Sequence, residues 1–150
     1  MKLAEALIGR ADLKARIEQI VSRMKENALI QEGDEPVEDV AGLIDLYESI
    51  MDQLEELTIR INKTNTEITL TDTSLADAIA KRDCLKARIS VYRRLKEASL
   101  IKHDRYSGME IRYVRTTDVV KLQRMIDDYS KQYRELDMKI QERNWTVDLM

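Results

Sequence analysis

Two stretches of the chain decide its fold. Residues 40–61 read VAGLIDLYESIMDQLEELTIRI, and residues 119–140 read VVKLQRMIDDYSKQYRELDMKI. Apolar side chains recur in both at alternating steps of three and four: Val40, Leu43, Tyr47, Ile50, Leu54, Leu57 and Ile61, then Val119, Leu122, Ile126, Tyr129, Tyr133, Leu136 and Ile140. This heptad spacing places each set on one narrow stripe of a helix, as in the seam of a coiled coil. The spacing predicts two long helices that pack against other helices.

Two further helices are predicted around this pair. Residues 2–29 carry a looser apolar stripe that Arg10 interrupts, and residues 75–101 carry a blurred one with Arg82 at a seam position. Gly33 and Pro36 in the turn at 31–36 indicate the end of the first helix and the start of the second, at 36–64. A Ser74 capping box starts the third helix. Thr116 or Thr117 caps the fourth, which ends near residue 143.

Two short alternating segments, residues 66–71 and 109–114, are predicted as strands. Because a lone strand is unstable, we expect the two to pair with each other, across a dimer interface or in one ribbon. The fold class is therefore mainly all-α. It is an antiparallel bundle of four long coiled-coil-like helices with a small two-stranded β element, in one domain covering residues 1–150.

Composition excludes several classes of protein. The net charge is −3, with 25 basic against 28 acidic residues, so binding to nucleic acid is not favoured. The single Cys84 cannot form an internal disulfide, and no secretory signal opens the chain. We therefore expect a cytoplasmic protein. No apolar run long enough to span a bilayer is present, so membrane contact would require an assembly.

Few residues suggest catalysis or metal binding. The acids Glu32, Asp34, Glu35, Glu38 and Asp39 lack the ligand spacing of a calcium loop and are explained as a solvated helix start. Cys84 and His103 are too far apart on a continuous helix to form a catalytic pair, and we interpret Cys84 as a small core residue. The sequence assigns no catalytic residue, cofactor or metal ligand, and enzyme chemistry has little support.

A set of polar residues forms either a structural network or a ligand site, and the sequence leaves both open. Its members are Asn62, Asn65, Arg82, Asp83, Arg105, Tyr106, Asn144 and Trp145. An arginine on a seam requires a partner, so Arg82 is predicted to pair with an acid from another helix or with a loop carbonyl. Its replacement by Ala should cost a few kcal/mol.

The order of short motifs along the chain is specific. The segments are residues 1–7, 31–36, 61–65, 82–83, 104–107, 140–141 and 144–146. Together they resemble an uncharacterised bacterial family that often carries the name septicolysin. The resemblance implies a helical cytoplasmic protein of unestablished activity and supplies no catalytic residue. The name suggests a pore-forming toxin, but nothing in these residues supports that activity.

We interpret the protein as a structural or protein-interaction module that self-assembles as a homo-oligomer, an antiparallel dimer being one form, with an unidentified protein partner. The first alternative is an oligomeric, lysin-like protein that inserts residues 109–114 or an exposed helix face into lipid. The second is a small-ligand binder or hydrolase that uses Arg82, Asp83, Arg105 and Tyr106. A liposome-leakage assay tests the lysin-like alternative. A thermal-shift screen with candidate ligands tests the small-ligand binder or hydrolase.

Overall fold

The computed structural model describes residues 1–100 and 112–150. Its elements are, in chain order, α1 (Leu3–Asn27), α2 (Val40–Glu67), β1 (Thr69–Leu70), β2 (Thr73–Ser74), α3 (Leu75–Ala98) and α4 (Val119–Thr146). The chain is therefore mainly α-helical with a small two-stranded sheet, as predicted. The structure divides into two compact units, residues 1–75 with 141–150 and residues 76–140. No helix within the described ranges has the length and apolar character needed to cross a membrane.

In the first unit, α1 and α2 pack as an antiparallel hairpin. The buried positions repeat at heptad intervals, and they include Leu3, Ala6 and Ile20 of α1 and Leu43, Ile50 and Ile61 of α2. Burying one such leucine or isoleucine side chain contributes about 1.5–3 kcal/mol, so this seam stabilises the hairpin. The seam predicted for residues 40–61 is the one observed.

The connection between α1 and α2 is longer than predicted. Pro36 does not open the helix; α2 begins at Val40, where the Asp39 carboxylate accepts hydrogen bonds from the backbone N–H groups of Ala41 and Gly42 at 3.2 and 3.1 Å. An aspartate that satisfies two of the otherwise unpaired N–H groups defines the helix start better than a proline does. Gly33 has φ +93°, the left-handed conformation that the sequence predicted for it.

The strand prediction was wrong in its pairing. The α2 helix continues to Glu67, and only Thr69–Leu70 is extended; this strand pairs antiparallel with Thr73–Ser74, with Thr69 opposite Ser74. Residues 109–111 of the second predicted strand lie outside the described residues, and residues 112–114 form no strand. A hairpin closed by two residues needs no distant partner, because its own turn brings the two strands together.

Residues 147–149 pair with the beginning of the chain, also within the first unit. The Leu3 N–H donates to the Val147 carbonyl and the Leu149 N–H donates to the Met1 carbonyl, both at 2.9 Å. The Lys2 ammonium lies 2.8 Å from an Asp148 carboxylate oxygen. The sequence suggested only a short apolar tail here, because backbone pairing between such distant segments leaves no local pattern.

In the second unit, α3 packs antiparallel against α4. The two helices meet through Arg82 and Asp137 and through Lys96 and Gln123. The buried residues are Ala78, Leu85 and Ile89 of α3 and Leu122, Ile126 and Ile140 of α4. Tyr92 stacks on Tyr129, with ring centroids 6.0 Å apart, and the Arg88 guanidinium lies 5.7 Å from the Tyr129 centroid. Asp118, and neither of the predicted threonines, caps α4, because its carboxylate accepts from the Lys121 N–H at 3.0 Å. The helix ends at Thr146, beyond the predicted residue 143.

Candidate interaction surface

The polar residues that the sequence grouped together fall into two units. Asn62, Asn65, Asn144 and Trp145 belong to the first unit, and Arg82 and Asp83 belong to the second. Arg105 and Tyr106 lie outside the described residues. We therefore describe the members in two separate groups.

Arg82 is part of an ion-pair network within the second unit. It donates to Asp83 at 2.9 and 3.0 Å and to Asp137 of α4 at 3.2 Å. Its side chain is 21% exposed and that of Asp137 is 30% exposed. Burial alone would lower the pKa of Arg82, but the two carboxylates outweigh burial and hold that pKa above its ordinary value. The predicted pairing with an acid from another helix is confirmed.

Thr64 lies between Asn62 and Asn65 in the sequence of α2 and is fully buried. Its hydroxyl donates to the Arg60 carbonyl at 2.8 Å and accepts the Met150 N–H at 3.0 Å. Asn144 is only 5% exposed, and its side-chain oxygen, like that of Asn65, has no hydrogen-bond partner among the described residues. Asn62 and Trp145 are exposed. The end of α2 is thus joined to the last residues of the chain by hydrogen bonds.

The prediction that Cys84 is a core residue was wrong, because its side chain is exposed. The position lies on the face of α3 that points away from α4. His103, its hypothetical partner, lies outside the described residues. Of the acids at 32–39, Glu38 pairs with Arg23 and Asp39 caps α2. Within residues 1–100 and 112–150 no cluster of acids, cysteine or histidine is placed to hold a metal ion.

The outward face of α3 carries a second, exposed heptad stripe, which we call the outer α3 stripe. Its members are Ala80, Cys84, Ala87, Val91, Leu95 and Ala98, and all are exposed. Val91 and Leu95 are 49% and 40% exposed. These residues lie opposite the seam that faces α4, so packing against α4 cannot cover them. A helix that is apolar on two faces is typical of one that packs between two others.

A basic groove runs between α3 and α4. Two adjoining cavities of about 480 and about 430 Å³ share Arg93, Ser130 and Arg134 and so form one groove. Three more cations line its wall, Lys86, Arg94 and Lys96, whereas Glu97 and Asp127 are its acids. Within the described part of the chain, the side chains of Lys86, Arg93, Arg94 and Arg134 make no ion pair or hydrogen bond.

Our reading of the sequence missed both surface features, although each leaves a signal. The outer α3 stripe repeats at heptad spacing, but four of its six members are Ala or Cys, which a search for large apolar residues passes over. Between Lys86 and Lys96 the chain has five basic residues and no acidic one. The overall charge balance conceals this local excess.

Comparison with known proteins identifies relatives without an assigned activity. The model described as "Family of unknown function (DUF6847)" matches residues 10–149. A crystal structure of a functionally unknown conserved protein from Corynebacterium diphtheriae is similar over 100% of this chain and 99% of that one, with a TM-score of 0.93 and 34% sequence identity. No curated protein matches the chain. The findings do not connect the chain with septicolysin.

Proposed function

The chain belongs to the family of unknown function DUF6847, and from that premise we propose that it is a structural or interaction module that self-assembles through helical faces left exposed by its own packing. Such a module has no active site, and its specificity resides in the surface that its helices present. A cytoplasmic location is part of the proposal, as is an additional protein partner.

The outer α3 stripe is the observation that supports self-assembly best. Valine and leucine at heptad spacing on a surface face, flanked by small side chains, allow a second helix to approach closely. Contiguous apolar surface of this kind is typical of protein interaction sites. Strand pairing gives no support for a dimer, since β1 and β2 pair with each other within the chain.

Light scattering at micromolar concentration tests the proposal. We expect a mass that is a multiple of 17.5 kDa. Val91→Glu with Leu95→Glu places two carboxylates on the outer α3 stripe and should reduce the mass to that of the monomer, because burying unpaired charge is costly. Val37→Glu, in the connection before α2, is the matched control and should leave the mass unchanged, because Val37 is exposed there.

Two results would contradict the proposal. A wild-type monomer would exclude self-assembly in solution, and an oligomer that tolerates both glutamates would exclude the outer α3 stripe as its contact surface. Leakage from liposomes, measured on the same preparations, would favour the lysin-like alternative that the name septicolysin suggests. A metabolite that raises the melting temperature would favour the small-ligand binder or hydrolase.

A further inference from the structure

The outward face of α2 is acidic along half its length, and we call this part the acidic α2 face. It consists of Asp45, Glu48, Asp52, Glu55 and Glu56. All five are exposed, and residues 40–59 contain no basic residue that could neutralise them. None of the five side chains makes an ion pair or hydrogen bond with a described residue. This is a large uncompensated negative surface on one helix.

The basic groove of the second unit matches this face in charge and in length. Of its five cations, four are likewise unpaired within the described residues, namely Lys86, Arg93, Arg94 and Arg134, whereas Lys96 donates to Gln123. The acidic α2 face extends about 16 Å and the α3 wall of the groove from Lys86 to Arg94 about 12 Å, at roughly 1.5 Å per residue. The Ser130 hydroxyl is buried in the groove and has no partner there among the described residues, so it can hydrogen-bond an incoming carboxylate.

We propose that the basic groove receives the acidic α2 face of a second copy of the chain. The inference rests on the proposed self-assembly and names its two contacting surfaces. Arg94 lines the groove and lies beside Leu95 of the outer α3 stripe, so the charged contact adjoins the apolar one on α3. The opposite charges set the orientation and the association rate of this contact.

The shape of the groove favours an acidic helix over a small anionic molecule as the ligand of its arginines. The groove is open and elongated, and its arginine side chains are exposed, whereas sites for small molecules bury most of their ligand. A nucleic acid is disfavoured by the net charge of −3. The acidic α2 face of a second copy supplies the carboxylates that neutralise the cations of the groove.

Charge reversal tests the contact. Arg93→Glu with Arg94→Glu should convert the oligomer to monomer, and so should Asp52→Arg with Glu55→Arg, because each places like charges opposite one another. The combination of all four changes should restore the oligomer, since the charges are then complementary again. Lys14→Glu with Arg16→Glu, two exposed cations of α1, is the matched control and should not change the mass. Circular dichroism confirms that each variant remains helical.

Salt provides an independent readout. Raising the ionic strength from about 0.05 M to about 0.5 M should weaken the wild-type oligomer about tenfold, through screening of exposed charges. A monomeric wild type would overturn the proposed function itself. An oligomer that survives reversal of the groove, or that the four combined changes fail to restore, would overturn only this inference.

Discussion

Arg82 shows what a single residue reveals about its surroundings. It occupies a seam position of α3 where the heptad predicts an apolar side chain, and the structure places Asp83 and Asp137 around its guanidinium. The sequence alone predicted that a partner exists, because an unpaired buried charge is too costly to keep. It could not identify Asp137, which lies 55 positions further along the chain.

We expect Arg82→Ala to lower the free energy of unfolding by about 1–2 kcal/mol, through the loss of charged hydrogen bonds to two carboxylates. The cost is smaller than the few kcal/mol expected from sequence, because the network retains partial access to water. Lys81→Ala, at the neighbouring exposed position, should cost less than about 0.5 kcal/mol. Urea unfolding of both variants measures the difference, and equal small effects would contradict the assignment.

The ion pair between Glu38 and Arg23 predicts that the stability of the fold depends on pH. The hydrogen bond from Arg23 lowers the pKa of Glu38 below its ordinary value. A carboxylate whose pKa is lower in the folded than in the unfolded state stabilises the fold at pH values above its unfolded-state pKa. That contribution is lost as the pH falls through the folded-state pKa. Wild type should therefore be more stable than Glu38→Gln at neutral pH, and this difference in stability should disappear at acidic pH, once the Glu38 carboxylate is protonated in the folded state.

The pH prediction has a control within the same connection. Glu35 is exposed and makes no ion pair with a described residue, so Glu35→Gln should change stability little at either pH. Thermal melts of the three proteins at both pH values provide the measurement. A gap between wild type and Glu38→Gln that grows on acidification would show that the sign of the linkage is wrong.

Among the secondary-structure elements, the β-hairpin departs most from the sequence prediction. Alternating β-branched residues identified an extended segment, but the heptad of α2 continued through its first residues to Glu67. The turn contains Thr71 with φ +61°, a conformation that a β-branched residue rarely adopts. The turn is stable because α2 and α3 hold its two ends.

Relieving this backbone strain should stabilise the protein. We expect Thr71→Gly to raise the free energy of unfolding by about 0.5–1 kcal/mol, since glycine adopts positive φ without steric cost. Thr69→Gly, in the extended β1 strand, should lower the free energy of unfolding by a similar amount. Glycine relieves no strain at that position, and it makes the unfolded chain more flexible. Differential scanning calorimetry measures both. Destabilisation by both glycines would show that Thr71 is not strained.

At the scale of the whole molecule, the first unit is closed by pairing between the two ends of the sequence. Leu3 is fully buried where residues 1–3 meet residues 147–149. Leu3→Ala should therefore cost about 2–4 kcal/mol, as large-to-small changes in cores do. Leu46→Ala, at an exposed position of α2, should cost less than about 1 kcal/mol. Chemical denaturation of the two variants measures both costs. Equal small costs would show that residues 1–3 contribute little to the stability of the first unit.

The sequence by itself determined the helices, because helix formation depends on periodicity and capping within a few neighbouring residues. The heptads at 40–61 and 119–140 predicted both seams, and Arg82 predicted an ion pair. The charge segregation that carries our last proposal was also readable from residues 45–56 and 86–96. Whole-chain counts hid it, because the two blocks cancel.

Only the tertiary structure decided which segments meet. The sequence predicted that residues 66–71 pair with residues 109–114, but the structure pairs Thr69–Leu70 with Thr73–Ser74. Thr64 acquired its role because α2 ends where residues 147–150 return. Cys84 and its stripe became surface because α4 covers the opposite side of α3. Each of these outcomes depends on contacts between distant residues, whose free energy is not encoded in any local pattern of side chains.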